Sequence, residues 1–258
     1  MTLSIRNLGL AINGRSLLDD ISLEVAPGEV LGVIGPNGAG KTSLIHAVIG
    51  DLVLQHGEVR FGNLPLADWP ARERACAVAL LPQFSTLGFP FTVREVVRLG
   101  RGPHATGRRI DEAIVDEACA ATDIAHLRQR PYTHLSGGEK QRVQLARVLT
   151  QIWRAEDAPA RLLLLDEPVA ALDIGHQQLV TRQVRRFADQ GVAVVMIQHD
   201  ISLAARCADR LIALRDGRHI AEGRPAEVVT EPILRRLFDA DARVIAHPDT
   251  GTPVVLHG

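Results

Sequence analysis

The most constraining feature of this chain is the octapeptide at residues 35–42, GPNGAGKT, which fits the pattern GxxxxGK[ST] without a mismatch. An apolar, β-branched run precedes it at residues 29–34, and apolar residues with helical spacing follow it at 43–49. The pattern requires a strand before the loop and a helix after it. The segment therefore predicts a loop that binds the phosphates of a nucleotide, in preference to a glycine-rich loop that merely turns a strand into a helix.

The parts of this loop have separate chemical roles. Its glycines let the backbone curl so that several N–H groups point at a triphosphate, and the N-terminus of the next helix adds partial positive charge. Lys41 would reach the β- and γ-phosphates, and the Thr42 hydroxyl would be a ligand of Mg²⁺. The expected nucleotide-binding residues here are Gly35, Pro36, Asn37, Gly38, Ala39, Gly40, Lys41, Thr42 and Ser43.

Length and charge limit the alternatives. A chain of 258 residues that is 46% hydrophobic can bury a large core, so we expect one domain with a sizeable subdomain. With 29 basic and 30 acidic residues, the total charge does not indicate a nucleic-acid binder. Three widely spaced cysteines favour reduced thiols in the cytoplasm. We expect no signal peptide, and no apolar run approaches 18 residues, so membrane association would be through a partner.

The order of the elements predicts an α/β fold. Residues 3–28 read as a small antiparallel sheet, with strands at 3–8, 15–18 and 21–25. Strand-like runs later alternate with helical stretches, which implies right-handed crossovers and a mostly parallel sheet around the phosphate loop. We expect a single domain in which 1–83 and 156–240 form the core, 84–155 an inserted helical subdomain and 241–258 a C-terminal tail.

A second motif, LLLLDEP at residues 162–168, predicts a buried strand that ends in two acids. Ligands of such sheets sit at the carboxyl ends of the strands. Asp166 would hold Mg²⁺, usually through water, and Glu167 would polarise the attacking water as general base. Alone, the segment could equally be a strand that ends in a solvated acidic turn. Its position after a phosphate loop favours the functional interpretation.

A third motif, LSGGEKQR at residues 135–142, places Ser136, Gly137 and Gly138 directly before a helix. This arrangement predicts a second anion-binding helix terminus, although an ordinary capped helix has a similar sequence. One nucleotide seldom needs two such ends from the same subunit.

These motifs, in order along the chain, resemble those of the ATP-binding subunit of ABC transporters, which have a P-loop NTPase (RecA-like) core. The resemblance covers essentially the whole chain and includes GPNGAGKT, Gln83, LSGGEKQR, LLLLDEP, Asp173 and His199. It implies a head-to-tail homodimer in which ATP held by residues 35–42 of one copy is closed over by Ser136 and Gly138 of the other. By resemblance, Gln83 would contact Mg²⁺ and the attacking water, and Asp173 would act across the dimer interface. His199 would contact the γ-phosphate and position Glu167.

The resemblance also implies partners: two transmembrane permease subunits and, indirectly, a periplasmic substrate-binding protein, with this subunit peripheral on the cytoplasmic face of the inner membrane. We expect no nucleic-acid partner. ABC-type ATPases of DNA repair or chromosome structure need a long coiled coil, and this chain has no sustained heptads. Translation-factor ATPases carry two cassettes in one chain, and a regulator without turnover would be expected to lack the Glu167 carboxylate.

The cargo is suggested only by likeness. Residues 80–104 and 151–161 are similar to the iron-chelate and cobalamin importer branch, and most like the hemin importers; a ferric-siderophore or cobalamin importer is the alternative. Phe84, Phe89 and Phe91 lie where a permease contact is expected, although each ring could instead be core. Many family members stack adenine on an aromatic residue where this chain has Ile12, so adenine packing is either aliphatic or supplied elsewhere.

Overall fold

The computed structural model describes residues 3–83 and 87–256. Its strands are β1 (Leu3–Ile12), β2 (Arg15–Val25), β3 (Val30–Ile34), β4 (His56–Phe61), β5 (Leu64–Pro65), β6 (Val78–Leu81), β7 (Leu162–Asp166), β8 (Ala193–Ile197), β9 (Arg210–Arg215), β10 (Arg218–Gly223), β11 (Arg243–Ala246) and β12 (Pro253–Leu256). Its α-helices are α1 (Lys41–Ile49), α2 (Ala71–Ala77), α3 (Val93–Arg98), α4 (Arg108–Ala121), α5 (Gly137–Gln151), α6 (Ile174–Asp189), α7 (Ile201–Cys207), α8 (Pro225–Val228) and α9 (Glu231–Phe238).

The chain divides into two compact units, residues 1–69 with 193–258, and residues 70–192. In the first unit, β2, β1, β4 and β5 form an antiparallel sheet in that order. Strand β3 pairs in parallel with both β8 and β9, and β10 is antiparallel to β9. Every residue of β3 and β8 is buried, as is typical of parallel strands that are covered on both faces. The mostly parallel sheet predicted around the phosphate loop is therefore present.

The antiparallel sheet has longer strands than the sequence predicted. We predicted separate strands at 15–18 and 21–25, whereas β2 is continuous and passes through an irregularity of register opposite β1. Asn7 and Asp20 both have left-handed backbones there, with φ of 47° and 55°. The Asn7 amide donates a 2.8 Å hydrogen bond to the Asp20 carboxylate. A bulge absorbs the irregularity without ending the strand.

In the second unit, β6 and β7 pair in parallel, and α3, α4 and α5 pack against one another. Helix α3 begins with a capping box, since the Thr92 side chain accepts from the Glu95 N–H and the Glu95 carboxylate accepts from the Thr92 N–H. Helix α4 begins at Arg108. The helical subdomain predicted at 84–155 lies within the sequence range of this unit, and its boundaries stay a prediction.

The second unit also buries a cation that the sequence did not predict. Arg101 is only 3% exposed, in a stretch that the sequence describes as a basic loop. Its guanidinium donates to Asp111 Oδ1 at 2.9 Å and to Asp157 Oδ2 at 3.0 Å. A further bond, of 2.8 Å, reaches the Thr150 carbonyl at the end of α5. Since a buried charge is stable only when it is paired and hydrogen-bonded, this cluster fixes the segment at 155–157 to the helices.

Beside this cluster, His104 is buried, and its Nε2 lies 2.8 Å from the Gln151 carbonyl oxygen. Burial, together with the charge of Arg101, lowers the pKa of His104 below its ordinary value of 6.5. The unfolded chain therefore binds this proton more readily than the folded protein does. The contribution of His104 to stability is complete above pH 6.5 and is lost as the pH falls from 6.5 through the lowered pKa of the folded state.

We expect His104→Gln to reduce this pH dependence, because an amide can still donate to the Gln151 carbonyl but does not titrate. Urea denaturation at about pH 7 and about pH 5 should show a smaller fall in the free energy of unfolding for the variant than for the wild type. The exposed His126 is the matched control, and His126→Gln should show the same fall in the free energy of unfolding between the two pH values as the wild type. An equal fall for His104→Gln and the wild type would contradict this account.

Candidate functional site

The loop at residues 35–42 has the conformation that its glycines were expected to permit. It follows β3, and Gly35, Gly38 and Gly40 have φ of 152°, 79° and 97°. A Cβ atom on Gly35 would lie 2.1 Å from the Leu214 carbonyl oxygen. Only glycine can bring the backbone this close and also adopt these angles. The chain therefore curls tightly between β3 and α1.

Two neighbouring segments of the first unit brace this loop. The Gly217 N–H, in the turn between β9 and β10, donates to the Ala39 carbonyl at 3.1 Å, and the Gly217 carbonyl accepts from the Asp19 N–H at 2.8 Å. A Cβ atom on Gly40 would lie 2.6 Å from the Leu17 carbonyl oxygen. Nothing in the sequence indicates that the turn at 216–217 supports the phosphate loop.

The start of α1 is suited to an anion. Its N-cap, Gly40, has no side chain to accept the first N–H groups, and its first turn contains no acid. These donors and the helix dipole therefore leave a positive potential at the helix N-terminus. Lys41 is 6% exposed and donates through Nζ to the carbonyls of Gly35 at 2.7 Å and Pro36 at 2.9 Å. Backbone donors, dipole and lysine together fit a polyphosphate.

His199 lies at the same edge of the sheet as the phosphate loop. Strand β8 ends at Ile197, which pairs in parallel with Val33 of β3. The next residue, Gln198, is buried and donates through its N–H to the Val33 carbonyl at 3.2 Å, and the exposed His199 follows. Asp200 then caps α7 by accepting from the Leu203 N–H at 2.9 Å. The first unit thus brings together the predicted residues 35–43 and His199.

The acids of the second unit follow a fully buried strand, as predicted. Asp166 is the last residue of β7 and is 2% exposed, while Glu167 is half-buried. Glu167 has a left-handed backbone with φ of 52°, a conformation that glutamate rarely adopts. Gln141 of α5 donates to the Pro168 carbonyl at 3.2 Å, which supports this turn. Strain of this kind is concentrated at functional sites.

A cleft of about 410 Å³ in the second unit brings together Gln83, Glu167 and Gly137. It is also lined by Tyr132, Lys140, Gln141, Gln144, Ala170 and Ala171. Gln144 is 3% exposed, and its amide donates to the Tyr132 hydroxyl at 2.9 Å. Tyr132 and Gln144 could not be predicted from the sequence, because their position in the cleft comes from tertiary packing. Gln83, Gly137 and Glu167 are the lining residues that the sequence motifs predicted as site residues.

The N-terminus of α5 differs from that of α1. Ser136 accepts from the Glu139 N–H, and the Glu139 carboxylate accepts from the Ser136 N–H at 2.7 Å. These hydrogen bonds hold the pKa of Glu139 below its usual value, so a carboxylate stands in the first turn. The exposed Ser136 hydroxyl keeps a proton to donate, and Gly138 is half-buried. This terminus is therefore less electropositive than that of α1.

Asp173 caps α6. Its carboxylate accepts from the His176 N–H at 2.9 Å, and this bond lowers the pKa of Asp173. The neighbouring Ile174 is 75% exposed. Asp173 is not among the residues that line the cleft with Gln83 and Glu167.

Residues 18–170 match the protein family described as ABC transporter. The chain belongs to this family. Its relatives include the hemin import ATP-binding proteins of Gloeobacter violaceus (49% identical, covering 98% of this chain and 93% of the relative) and Pseudomonas entomophila (48%, covering 98% and 99%). The protein of the same name from Streptomyces coelicolor is 48% identical, and the match covers 96% of this chain and 87% of the relative.

Solved structures agree with this ABC transporter fold. An ATP-binding subunit of an ABC transporter superposes with a TM-score of 0.79 at 23% identity. The superposition covers 93% of this chain and 96% of the solved chain. An ATP-binding cassette in its ADP conformation gives a TM-score of 0.77 at 24% identity, covering 93% and 99%. The α/β fold predicted from the sequence is confirmed.

The donors of this ABC protein fit Mg²⁺ that arrives with a nucleotide. Within residues 3–83 and 87–256 there is no group of three or more His, Cys, Asp or Glu that could hold a metal ion. The predicted ligands are single oxygen donors, the Thr42 hydroxyl, the Gln83 amide and the Asp166 carboxylate. Mg²⁺ prefers hard oxygen ligands and is usually held by one or two carboxylates plus substrate phosphates. The residue types therefore suit the expected ion.

The bracing of the phosphate loop predicts different effects for two similar substitutions. Gly38→Ala and Gly40→Ala both place a side chain at positive φ, but only the Gly40 Cβ would meet a backbone atom within 3 Å. We expect Gly40→Ala to lower the free energy of unfolding by roughly 1 to 3 kcal/mol more than Gly38→Ala, because of this overpacking. Urea denaturation measures both; equal losses would show that the Leu17 contact does not constrain the loop.

Proposed function

We propose that the protein is the ATP-hydrolysing subunit of an ABC importer that takes up hemin. The observation that carries this proposal is the 45 to 49% identity, over nearly the whole chain, to proteins named as hemin import ATP-binding proteins. The glycine-bent loop at 35–42, with Lys41 and the uncapped start of α1, supports the nucleotide chemistry.

Nucleotide binding is assigned residue by residue. The backbone N–H groups of the loop and the Lys41 ammonium bind the β- and γ-phosphates. The Thr42 hydroxyl, Asp166 and Gln83 would hold Mg²⁺, which would neutralise phosphate charge. Mg²⁺ usually keeps several water ligands and takes others from the substrate phosphates, so few protein donors are needed.

Hydrolysis is assigned to Glu167 as general base. Its carboxylate takes a proton from the attacking water while the water oxygen bonds to the γ-phosphorus and ADP departs in line. His199 contacts the γ-phosphate and positions Glu167 and the water. Gln83 contacts the same water. The position of Glu167 at the end of a buried strand, in a strained backbone, supports a fixed orientation for the base.

Two copies are proposed to act as a head-to-tail homodimer. Ser136, Gly137 and Gly138 of one copy close over ATP held by residues 35–42 of the other, and Asp173 acts across the interface. The exposed Ile174 beside Asp173 supports an interface at this point, since an isoleucine that is 75% exposed gains from burial. The proton that the Ser136 hydroxyl can donate suits it to a phosphate oxygen.

The remaining partners are two transmembrane permease subunits and, indirectly, a periplasmic substrate-binding protein, with this subunit peripheral on the cytoplasmic face of the inner membrane. Among the residues that the structure describes, no helix is long and apolar enough to cross a bilayer. An exposed aromatic pair supports the permease contact: Phe89 is 68% and Phe91 39% exposed, with ring centroids 6.1 Å apart. The third aromatic residue, Phe84, lies outside the described residues.

Glu167→Gln should separate binding from turnover. The amide cannot accept the proton of the attacking water, so hydrolysis should fall by about 10² to 10⁴-fold while MgATP still binds and holds the dimer closed. A phosphate-release assay and size-exclusion chromatography with ATP measure the two effects. Lys41→Ala is the comparison variant and should lose nucleotide affinity instead. Near-normal turnover of Glu167→Gln would refute the assignment.

Phe89→Ala should weaken the attachment to the permease. Loss of an exposed ring at an interface can cost more than about 1 kcal/mol of binding free energy, so transport should fall while ATP hydrolysis by the isolated subunit is unchanged. Co-purification with the permease and uptake into vesicles measure this. Val53→Ala, at a side chain that is 90% exposed, is the control. Normal assembly and uptake of Phe89→Ala would exclude the contact.

The cargo is tested in a complex of the permease, this subunit and the substrate-binding protein reconstituted in proteoliposomes. The binding protein loaded with hemin should stimulate ATP hydrolysis above the rate obtained with the empty protein. Stimulation by a ferric siderophore or cobalamin but not by hemin would overturn the hemin assignment and leave the ATPase role intact.

A further inference from the structure

His176 lies between two carboxylates in the second unit. Its Nδ1 is 2.8 Å from Asp173 Oδ1 and 2.9 Å from Asp173 Oδ2. Its Nε2 is 3.6 Å from the Oδ2 of Asp123. Asp123 follows α4, whereas Asp173 and His176 belong to the start of α6. The imidazole therefore links the predicted interface residue Asp173 to the end of another helix.

These contacts leave the Asp173 carboxylate little freedom. It receives the backbone N–H of His176 at 2.9 Å as well as the imidazole nitrogen. Both of its oxygens lie within hydrogen-bond distance of one ring nitrogen, so the plane of the carboxylate is fixed relative to the ring. Hydrogen bonds from His176 also lower the pKa of Asp173, so these contacts favour its carboxylate form.

The other end of the ring faces Asp123, a residue in a constrained backbone conformation, at 3.6 Å. Asp123 has a left-handed backbone with φ of 53°, in the turn that ends α4. Asp is among the few residues that adopt this conformation readily, so the residue type suits the turn. The Asp123 side chain is 59% exposed. The side chain of His176 is 28% exposed, so the ring lies partly within the protein surface.

We propose that His176 is a positioning residue that holds the Asp173 carboxylate in the orientation in which it acts across the interface between two copies. The inference rests on the proposed function, because it assigns Asp173 that role. The neighbouring Ile174 is 75% exposed, so the segment lies at the surface, where a second copy can reach it. In this proposal His176 acts through Asp173 and not by direct contact with the nucleotide.

The competing explanation is that Asp173 and His176 only stabilise the start of α6. Helix capping needs the Asp173 carboxylate and the backbone N–H of residue 176, and both remain after any substitution of the ring. A purely structural role would therefore change the free energy of unfolding without a specific effect on kcat. Substitutions that retain one ring nitrogen or the other can distinguish the two explanations.

Three variants remove the two contacts of the His176 ring separately or together. The amide nitrogen of His176→Asn replaces Nδ1 and can still donate to Asp173, but it cannot reach Asp123. The amide of His176→Gln extends to the position of Nε2 and loses the close bond to Asp173. His176→Ala removes both contacts. Gln178→Asn, an exposed substitution on the same helix, is the matched control.

The measurement is steady-state MgATP hydrolysis by the complete transporter, with urea denaturation of each variant as a check on folding. We expect His176→Ala and His176→Gln to lower kcat by about tenfold, with little change in KM. This loss is smaller than the roughly 10²-fold that a 1 Å misplacement of a reacting group can cause. His176→Asn should largely restore kcat, and Gln178→Asn should match the wild type. The double variant Asp173→Ala/His176→Ala should be no slower than Asp173→Ala alone, because the two residues act as a unit.

Wild-type kcat in His176→Ala, or additive losses in the double variant, would overturn the positioning role while the proposed function stands. Failure of the wild-type transporter to hydrolyse MgATP, or normal turnover of Glu167→Gln, would instead overturn the proposed function and this inference with it. A fall in kcat that His176→Asn does not rescue would also count against the role of Nδ1.

Discussion

The fold of the first unit depends on how closely three stretches of backbone approach one another at the phosphate loop. Gly35 lies against the carbonyl of Leu214 in β9, and Gly40 lies against the carbonyl of Leu17 in β2. The hydrogen bond from Gly217 to Ala39 joins the same segments. Because backbone atoms cannot yield as a flexible side chain does, the curl of the loop is set before any ligand arrives. Preorganised donors of this kind lose little free energy to ordering on binding.

The two predicted anion-binding helix ends of the chain differ in charge. Helix α1 begins without a side-chain cap and without an acid in its first turn, so no carboxylate of that turn offsets its N–H groups and dipole. Helix α5 begins with Ser136 and the ionised Glu139, which reduce the positive potential there. A single copy therefore offers an anion a stronger electrostatic attraction at α1 than at α5. This difference accords with a nucleotide that is held first by one copy and then covered by another.

Much of the fold and several parts of the site could be predicted from the sequence, because the signals are local. The loop at 35–42, the strand before Asp166 and the capping boxes at Thr92 and Ser136 each depend on a few consecutive residues. Asn7 and Asp20 are residue types that tolerate a left-handed backbone, so the sequence carries a local signal for the bulge in the first sheet. Asp123 has the same property.

The features that could not be predicted depend on contacts between distant residues. Nothing around Gly217 indicates that its N–H would meet Ala39, and the hydrogen bond between Tyr132 and Gln144 spans twelve positions. Glu167 is not a type that favours positive φ, so its backbone is set by its surroundings. The burial of Arg101 depends on carboxylates that lie 10 and 56 residues away.

The cluster around Arg101 also restricts how this part of the molecule can change in evolution. Its guanidinium is always charged, and removal of either acid would leave that charge inside the protein without a full complement of partners. A single substitution at Arg101, Asp111 or Asp157 is therefore disfavoured, whereas replacement of all three by apolar side chains of similar volume could be tolerated. The three positions should vary together among descendants of this sequence, as a coupled set and not as independent sites.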